Sequence, residues 1–234
     1  MTSSAGDIAA RLSRLGRLKG AAVVLVSGYA LTALIGFVLG LGAVAIQQSF
    51  DAPLYDWLVR NYSEGSAFTA LSKSYTGLGD VLPSVWLTLA ATVVLAVIFG
   101  RRWWIPVTLL PLSFVLEYGL QIALANVINR GHPYLGTGTY FSGGSARFVI
   151  IFGLILFLIV LRWPQISRAW RIVGVALVAL LALAMGLTRL YLLHHWPTDV
   201  PAGWIIGTLI LGTLVLATLT LLRPAKEEPA AATP

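Results

Sequence analysis

The sequence predicts an all-α integral membrane protein: six transmembrane helices in a bundle, with an interfacial helix or helices between the first and second spans. Three observations predict it. Hydrophobic residues make up 58% of the chain and charged residues only 11%, where soluble domains carry about 25% charged residues; the mean hydropathy is +0.85. Six apolar runs have roughly the length that crosses a ~30 Å hydrocarbon layer. Lys and Arg are spread unevenly over the segments between those runs, as membrane topology requires.

The elements follow in order. Residues 1–19 are polar and basic, with Arg11, Arg14, Arg17 and Lys19. They read as a topology-setting cytoplasmic flank, or alternatively as a short amphipathic helix on an anionic membrane face. Residues 20–222 form the membrane domain. Its first span, 20–46, is too long for the ~7–15-residue core of a signal peptide, so no cleavage is expected. Residues 47–80 mix Asp51, Asp56, Arg60, Glu64, Lys73 and Asp80 with Trp57, Tyr62 and Phe68, a pattern suited to one or two interfacial helices. Spans follow at 81–100, 105–127, 147–162, 172–188 and 200–222. Trp103 and Trp104 form an aromatic anchor. Residues 223–234, rich in Pro and Ala, read as a disordered cytoplasmic tail.

Six spans place both termini on one side. Eleven of the 16 Lys and Arg residues fall on that side, and the other side holds Arg60, Lys73, Arg130, Arg147 and Arg189. The bias puts both termini in the cytoplasm and the other face outside, in a plasma or inner membrane. All three histidines, His132, His194 and His195, lie on the outer side. The net charge of +7 is accounted for by these loops, and no nucleic-acid partner is expected. The chain has no cysteine, which excludes disulfides and thiolate metal sites. No cofactor or metal is expected, since the carboxylates and histidines lack a closed ligand set.

Chemistry concentrates between Thr188 and Asp199. Arg189 offers a fork of donors to an oxyanion. His195 is a nitrogen nucleophile or base. Asp199, four residues on, is spaced to bond the far ring nitrogen and fix which nitrogen is free. Pro197 suits the first position of a helix whose positive end would face the same place. A second outer loop, 128–146, supplies Arg130, His132, Ser142, Gly143, Gly144 and Arg147, and its glycines let backbone N–H groups converge on an anion. Within the third span, Glu117 lies one turn from Gln121. It reads as a protonated carboxyl bonded to a neighbouring helix, or alternatively as the lining of a water-filled route.

The run Thr188-Arg189-(five residues)-His195-(three)-Asp199, with Tyr191 and Trp196-Pro197-Thr198-Asp199-Val200 around it, resembles the third motif of the type 2 phosphatidic acid phosphatase family, within the lipid phosphatase and vanadium haloperoxidase superfamily. The resemblance implies that His195 attacks phosphorus, Asp199 orients it and Arg189 holds the phosphate. The family's other two motifs are degenerate here. Its first motif would place Lys at Ala125 and Arg at His132, with Arg130 remaining nearby. In its second motif Ser142 and Gly143 match, and Gly144 stands where the family has a histidine that protonates the leaving oxygen. His132 or His194 could substitute as that acid.

Several expectations follow. The protein is a hydrolase of lipid monophosphates or pyrophosphates, working at the outer leaflet through a phosphohistidine. Its partners are membrane lipids and a lipid phosphate substrate, held by Arg189, Arg130 and the backbone of residues 142–144. General acid help is typically worth ~10²–10⁴-fold, so the lost histidine favours a prenyl pyrophosphate, with its better leaving group, over phosphatidic acid. The alternative is a catalytically impaired relative that binds an anionic lipid headgroup, as a transporter or assembly partner. A channel built on the polar third span is a third reading.

Overall fold

The computed structural model describes residues 16–222. Most of the basic N-terminal segment (1–15) and the expected tail (223–234) lie outside the described residues. Eight α-helices are described: α1 Arg17–Ile46, α2 Ala52–Asn61, α3 Ala67–Gly77, α4 Val81–Phe99, α5 Trp104–Ile128, α6 Gly143–Arg162, α7 Arg168–Tyr191 and α8 Asp199–Leu222. Helices α1 and α4 to α8 are each long and apolar enough to cross a membrane. The protein is thus the six-span, all-helical membrane bundle expected.

Several boundaries differ from the sequence reading, and those near the arginine-bearing face bear on the site. Helix α1 does not stop at a loop; it runs through a π-helical turn, Gln47–Asp51, into α2. The turn buries Asp51 completely, while Pro53 falls in the first turn of α2, where a missing N–H costs nothing. Helix α6 starts at Gly143, four residues before the expected 147, because its small first residues fit between neighbours: Gly143 against Gln121 of α5, Gly144 against Arg189 of α7, and Ser145 and Ala146 against Gly203 and Gly207 of α8. Helix α7 runs past 188 to Tyr191, so Arg189 is helical; its other end is capped by Ser167, whose hydroxyl accepts the Trp170 N–H at 3.4 Å. Helix α8 starts at Asp199, two residues after Pro197. Thr198 is held ahead of it by its N–H bond to Asp51 (2.9 Å).

Helix α6 is the core of the bundle. Phe148, Ile150, Ile151, Leu154 and Leu158 are buried on it, and it packs on α4, α5, α7 and α8. Two glycines bring α8 close to its polar end. A Cβ on Gly203 would strike the Ser142 carbonyl, and one on Gly207 would lie 2.8 Å from the Ala146 oxygen. Gly207→Leu is therefore expected to cost about 1–3 kcal/mol by overpacking, seen as a lower Tm in detergent. Gly212→Leu, where a Cβ meets nothing within 4 Å, should melt like the parent. The loop before α6 is tied to α1 by Tyr140, whose hydroxyl donates to the Gly36 carbonyl at 2.7 Å.

Candidate active site

The spans run in alternate directions, so the ends of α1, α5 and α7 meet the starts of α4, α6 and α8 on one face. The two motif-bearing loops meet there. The Gly138 N–H donates to the His194 carbonyl (2.9 Å) and the Ser142 N–H to the Asp199 carbonyl (3.0 Å). Glycine is needed at 138, because a Cβ there would lie 2.5 Å from His195 Nδ1. The histidine loop turns at Leu193 with φ +62, a conformation rare outside glycine. It is clamped by Tyr55 of α2, whose hydroxyl donates to the Leu193 carbonyl at 3.0 Å and whose ring packs on Trp196.

His195 is buried, with Nδ1 facing Asp199 Oδ2 at 3.5 Å. The separation is longer than a hydrogen bond, and it leaves Nε2 as the nitrogen turned away from the carboxylate. Asp199 itself is held on both oxygens: Oδ2 accepts the Trp196 N–H (3.2 Å) and Oδ1 accepts from Arg130 Nη1 (3.1 Å). Arg130 also bonds Asp51 through Nη2, Thr198 Oγ1 through Nη1 (2.8 Å) and Gln47 through Nε (3.3 Å). The Arg130, Asp51 and Asp199 side chains are fully buried. Arg130, expected to grip phosphate, lies at the centre of a buried network with Asp51, Asp199, Thr198 and Gln47.

Arg189 lies beside the neighbouring His194. Its Nη2 donates to Asp80 Oδ1 (2.8 Å) and to the Thr76 carbonyl (3.0 Å), and its Nη1 lies 3.4 Å from His194 Nδ1. It rests on the first turn of α6: a Cβ on Gly144 would lie 2.7 Å from Nη2. A side chain at 144 and this arginine position exclude each other. In α6 the first N–H that bonds back within the helix is that of Ala146, to the Ser142 carbonyl (3.1 Å). The N–H groups of Gly143, Gly144 and Ser145 come before it, at the positive end of the helix dipole.

Arg147 completes a row of three arginines. Its Nη1 donates to Glu117 (3.1 Å) and Gln121 (3.3 Å), and its Nη2 to the Gly79 carbonyl (3.2 Å). Glu117 is thus the partner of a cation one helix away. Glu117→Ala leaves Arg147 buried and unpaired and should cost about 3–5 kcal/mol; a thermal melt checks it. The Nε groups of Arg147 and Arg189 are both buried without a hydrogen-bond partner, so the site holds unspent donors beside a helix N-terminus, a setting for an anion.

Of the candidate substitute acids, His194 touches the cluster. Burial lowers its pKa, and the nearby positive charge of Arg189 adds to the effect, against the pull of Asp80. His132 is exposed and bonds the Pro133 carbonyl (3.1 Å). Sequence reasoning missed the roles of Asp51, Asp80 and Thr198. The available signal was that these groups sit at span boundaries on the arginine-bearing face.

Residues 133–223 match the model of the PAP2 superfamily. No curated protein sequence matches the chain. Among solved structures, the fold is similar to the crystal structure described as the first transmembrane PAP2-type phosphatidylglycerolphosphate phosphatase, from Bacillus subtilis. The TM-score is 0.67 at 21% identity, over 80% of this chain and 93% of that one. At that identity the likeness establishes the fold.

Proposed function

We propose that the protein is a membrane lipid phosphatase of the PAP2 superfamily, whose model matches residues 133–223, and that His195 is its nucleophile. The observation that carries the reading is that one face gathers His195, its buried neighbour Asp199, Arg189 and the N-terminal turn of α6. His195 Nε2 attacks phosphorus, the bond to the leaving oxygen breaks, and that oxygen keeps the electron pair. Asp199 steadies the positive charge that develops on the ring. Water then attacks the phosphohistidine, releasing phosphate and restoring the neutral imidazole. Arg189, with the N–H groups of residues 143–145, holds the phosphoryl oxygens as charge shifts among them. Arg130 acts through Asp199 as a positioning residue.

The Bacillus subtilis protein acts on a phospholipid monophosphate, which supports a lipid substrate here. So does a cavity of about 480 Å³ between α6, α7 and α8, lined by Val149, Gly153, Ala182, Leu183 and Trp204. Its lining is apolar, and Ala182 on it is roughly 10 Å along α7 from Arg189. We assign it to the substrate's hydrocarbon chain. The concentration of Arg101, Arg102, Arg162, Arg168 and Arg171 at the opposite end of the bundle supports an extracytoplasmic site and cytoplasmic termini.

Gly144 leaves no side chain to protonate a departing alkoxide, and burial, with Arg189 nearby, lowers the pKa of His194 and so disfavours its charged, proton-donating form. A diphosphate ester needs no such proton, because its leaving group is already a stable phosphate anion. Phosphate release from a prenyl diphosphate is expected to exceed that from phosphatidic acid in matched micelles; the reverse order would contradict this substrate assignment. The second reading, a non-catalytic binder of anionic headgroups, draws on Ala125, His132 and Gly144. Phosphate release by the parent no greater than by His195→Ala would establish it over the enzyme.

A further inference from the structure

Each of the three arginines is already paired with a carboxylate, and the four carboxylates differ sharply in exposure. Asp51 and Asp199 have no exposed side-chain surface and Glu117 has 1%, whereas Asp80 is 55% exposed. Only Asp80 can leave its arginine for water. Its oxygen bonds Arg189 Nη2, the guanidinium nitrogen nearest Gly144 in the first turn of α6, and so holds a donor that a phosphoryl oxygen would take.

The local backbone is built for that contact and for its release. Gly79 lets the turn lie against the arginine, since a Cβ there would sit 2.9 Å from Arg189 Nη2. Asp80 is also the N-cap residue of α4, with extended backbone (φ −70, ψ 159), yet its side chain makes no capping bond. An N-cap aspartate ordinarily accepts from the second or third N–H of its helix. At α4 the third residue is Pro83, which has none, so Leu82 offers the available donor. A carboxylate displaced from Arg189 therefore has a second position one bond rotation away.

We infer that Asp80 is a specificity residue: an internal carboxylate that holds Arg189 against monoanionic phosphodiesters and yields it to phosphomonoesters and diphosphates. The inference rests on the phosphatase reading of the site. A phosphodiester carries one negative charge, the same as the carboxylate it would replace, so the exchange gains no charge. A phosphomonoester carries about −1.5 to −2 at neutral pH and gains by it. The distinction matters in a bilayer, where phosphodiester headgroups vastly outnumber substrate.

The test measures binding of inorganic phosphate and of dimethyl phosphate to purified protein by calorimetry, for the parent, Asp80→Asn and Asp80→Ser. Serine keeps an N-cap acceptor without the charge, so it guards against a variant that merely unravels α4. The expected result is that the parent binds phosphate and rejects dimethyl phosphate. Both variants should bind phosphate ~10-fold tighter, the change one removed charge pair can make, and should acquire dimethyl phosphate binding. Unchanged or weaker phosphate affinity in both variants, with Tm retained in Asp80→Ser, would overturn the inference and leave the phosphatase reading standing. Absence of phosphate binding to all three proteins would overturn both.

Discussion

Replacing His195 with alanine is expected to lower phosphate release from a lipid phosphate by at least ~10³-fold, while the purified protein keeps its Tm within a few degrees. The scale follows from what a nucleophile and its orienter supply together. Tm should hold because the ring makes no hydrogen bond that the fold needs: Nδ1 stands 3.5 Å from Asp199, and Asp199 keeps its bonds to Arg130 and the Trp196 N–H without it. Asp199→Asn should also reduce turnover by ~10²–10⁴-fold, as loss of a triad carboxylate does elsewhere. Its KM should change little, because the Asp199 side chain is fully buried and faces His195 Nδ1. A loss confined to KM would place Asp199 in substrate binding instead.

Arg130→Met is expected to destabilise the fold by about 3–5 kcal/mol, the usual result of removing one partner from a buried ionic cluster. Two carboxylates, Asp51 and Asp199, would then face each other without a cation, and Thr198 would lose a donor. The melt in detergent should shift well below that of the parent and of Arg101→Met, an exposed arginine at the other end of the bundle. Arg130→Lys should recover only part of the loss. A single ammonium cannot reproduce a fork that spans Asp51, Asp199, Thr198 and Gln47 at once. A phosphate ligand would behave differently, with substrate affinity falling and Tm rising or staying level. The two outcomes separate a positioning arginine from a substrate-binding one.

The six spans were legible because apolar run length speaks directly to bilayer thickness. The face shared by the two loops was legible because helices that cross a membrane must alternate direction. The starts of α6 and α8 were misplaced for a physical reason. Gly143 to Ala146 read as loop, yet their small size is what lets the helix start fit between Gln121 of α5, Arg189 of α7 and the glycines of α8. Pro197 is a good first helical residue, but Asp51 captures the Thr198 N–H and delays the start to Asp199. The ionic pairing was illegible. Arg130 meets Asp51 across 79 residues, Arg189 meets Asp80 across 109, and Arg147 meets Glu117 across 30. No periodicity encodes such distances; they arise from which helix ends share the face. Glu117 bonds a neighbouring helix, as expected, but the partner was illegible for the same reason, since Arg147 belongs to a helix expected to begin at that very residue.

The central claim is that a covalent bond forms between phosphorus and His195. Quenching the protein during turnover of a lipid substrate radiolabelled in its terminal phosphate tests it directly. The prediction is protein-bound label that is stable in base, lost in acid, mapped to the peptide carrying His195 and absent from His195→Ala. Turnover that proceeds at the parent rate in His195→Ala, with no label on that peptide in either protein, would contradict it.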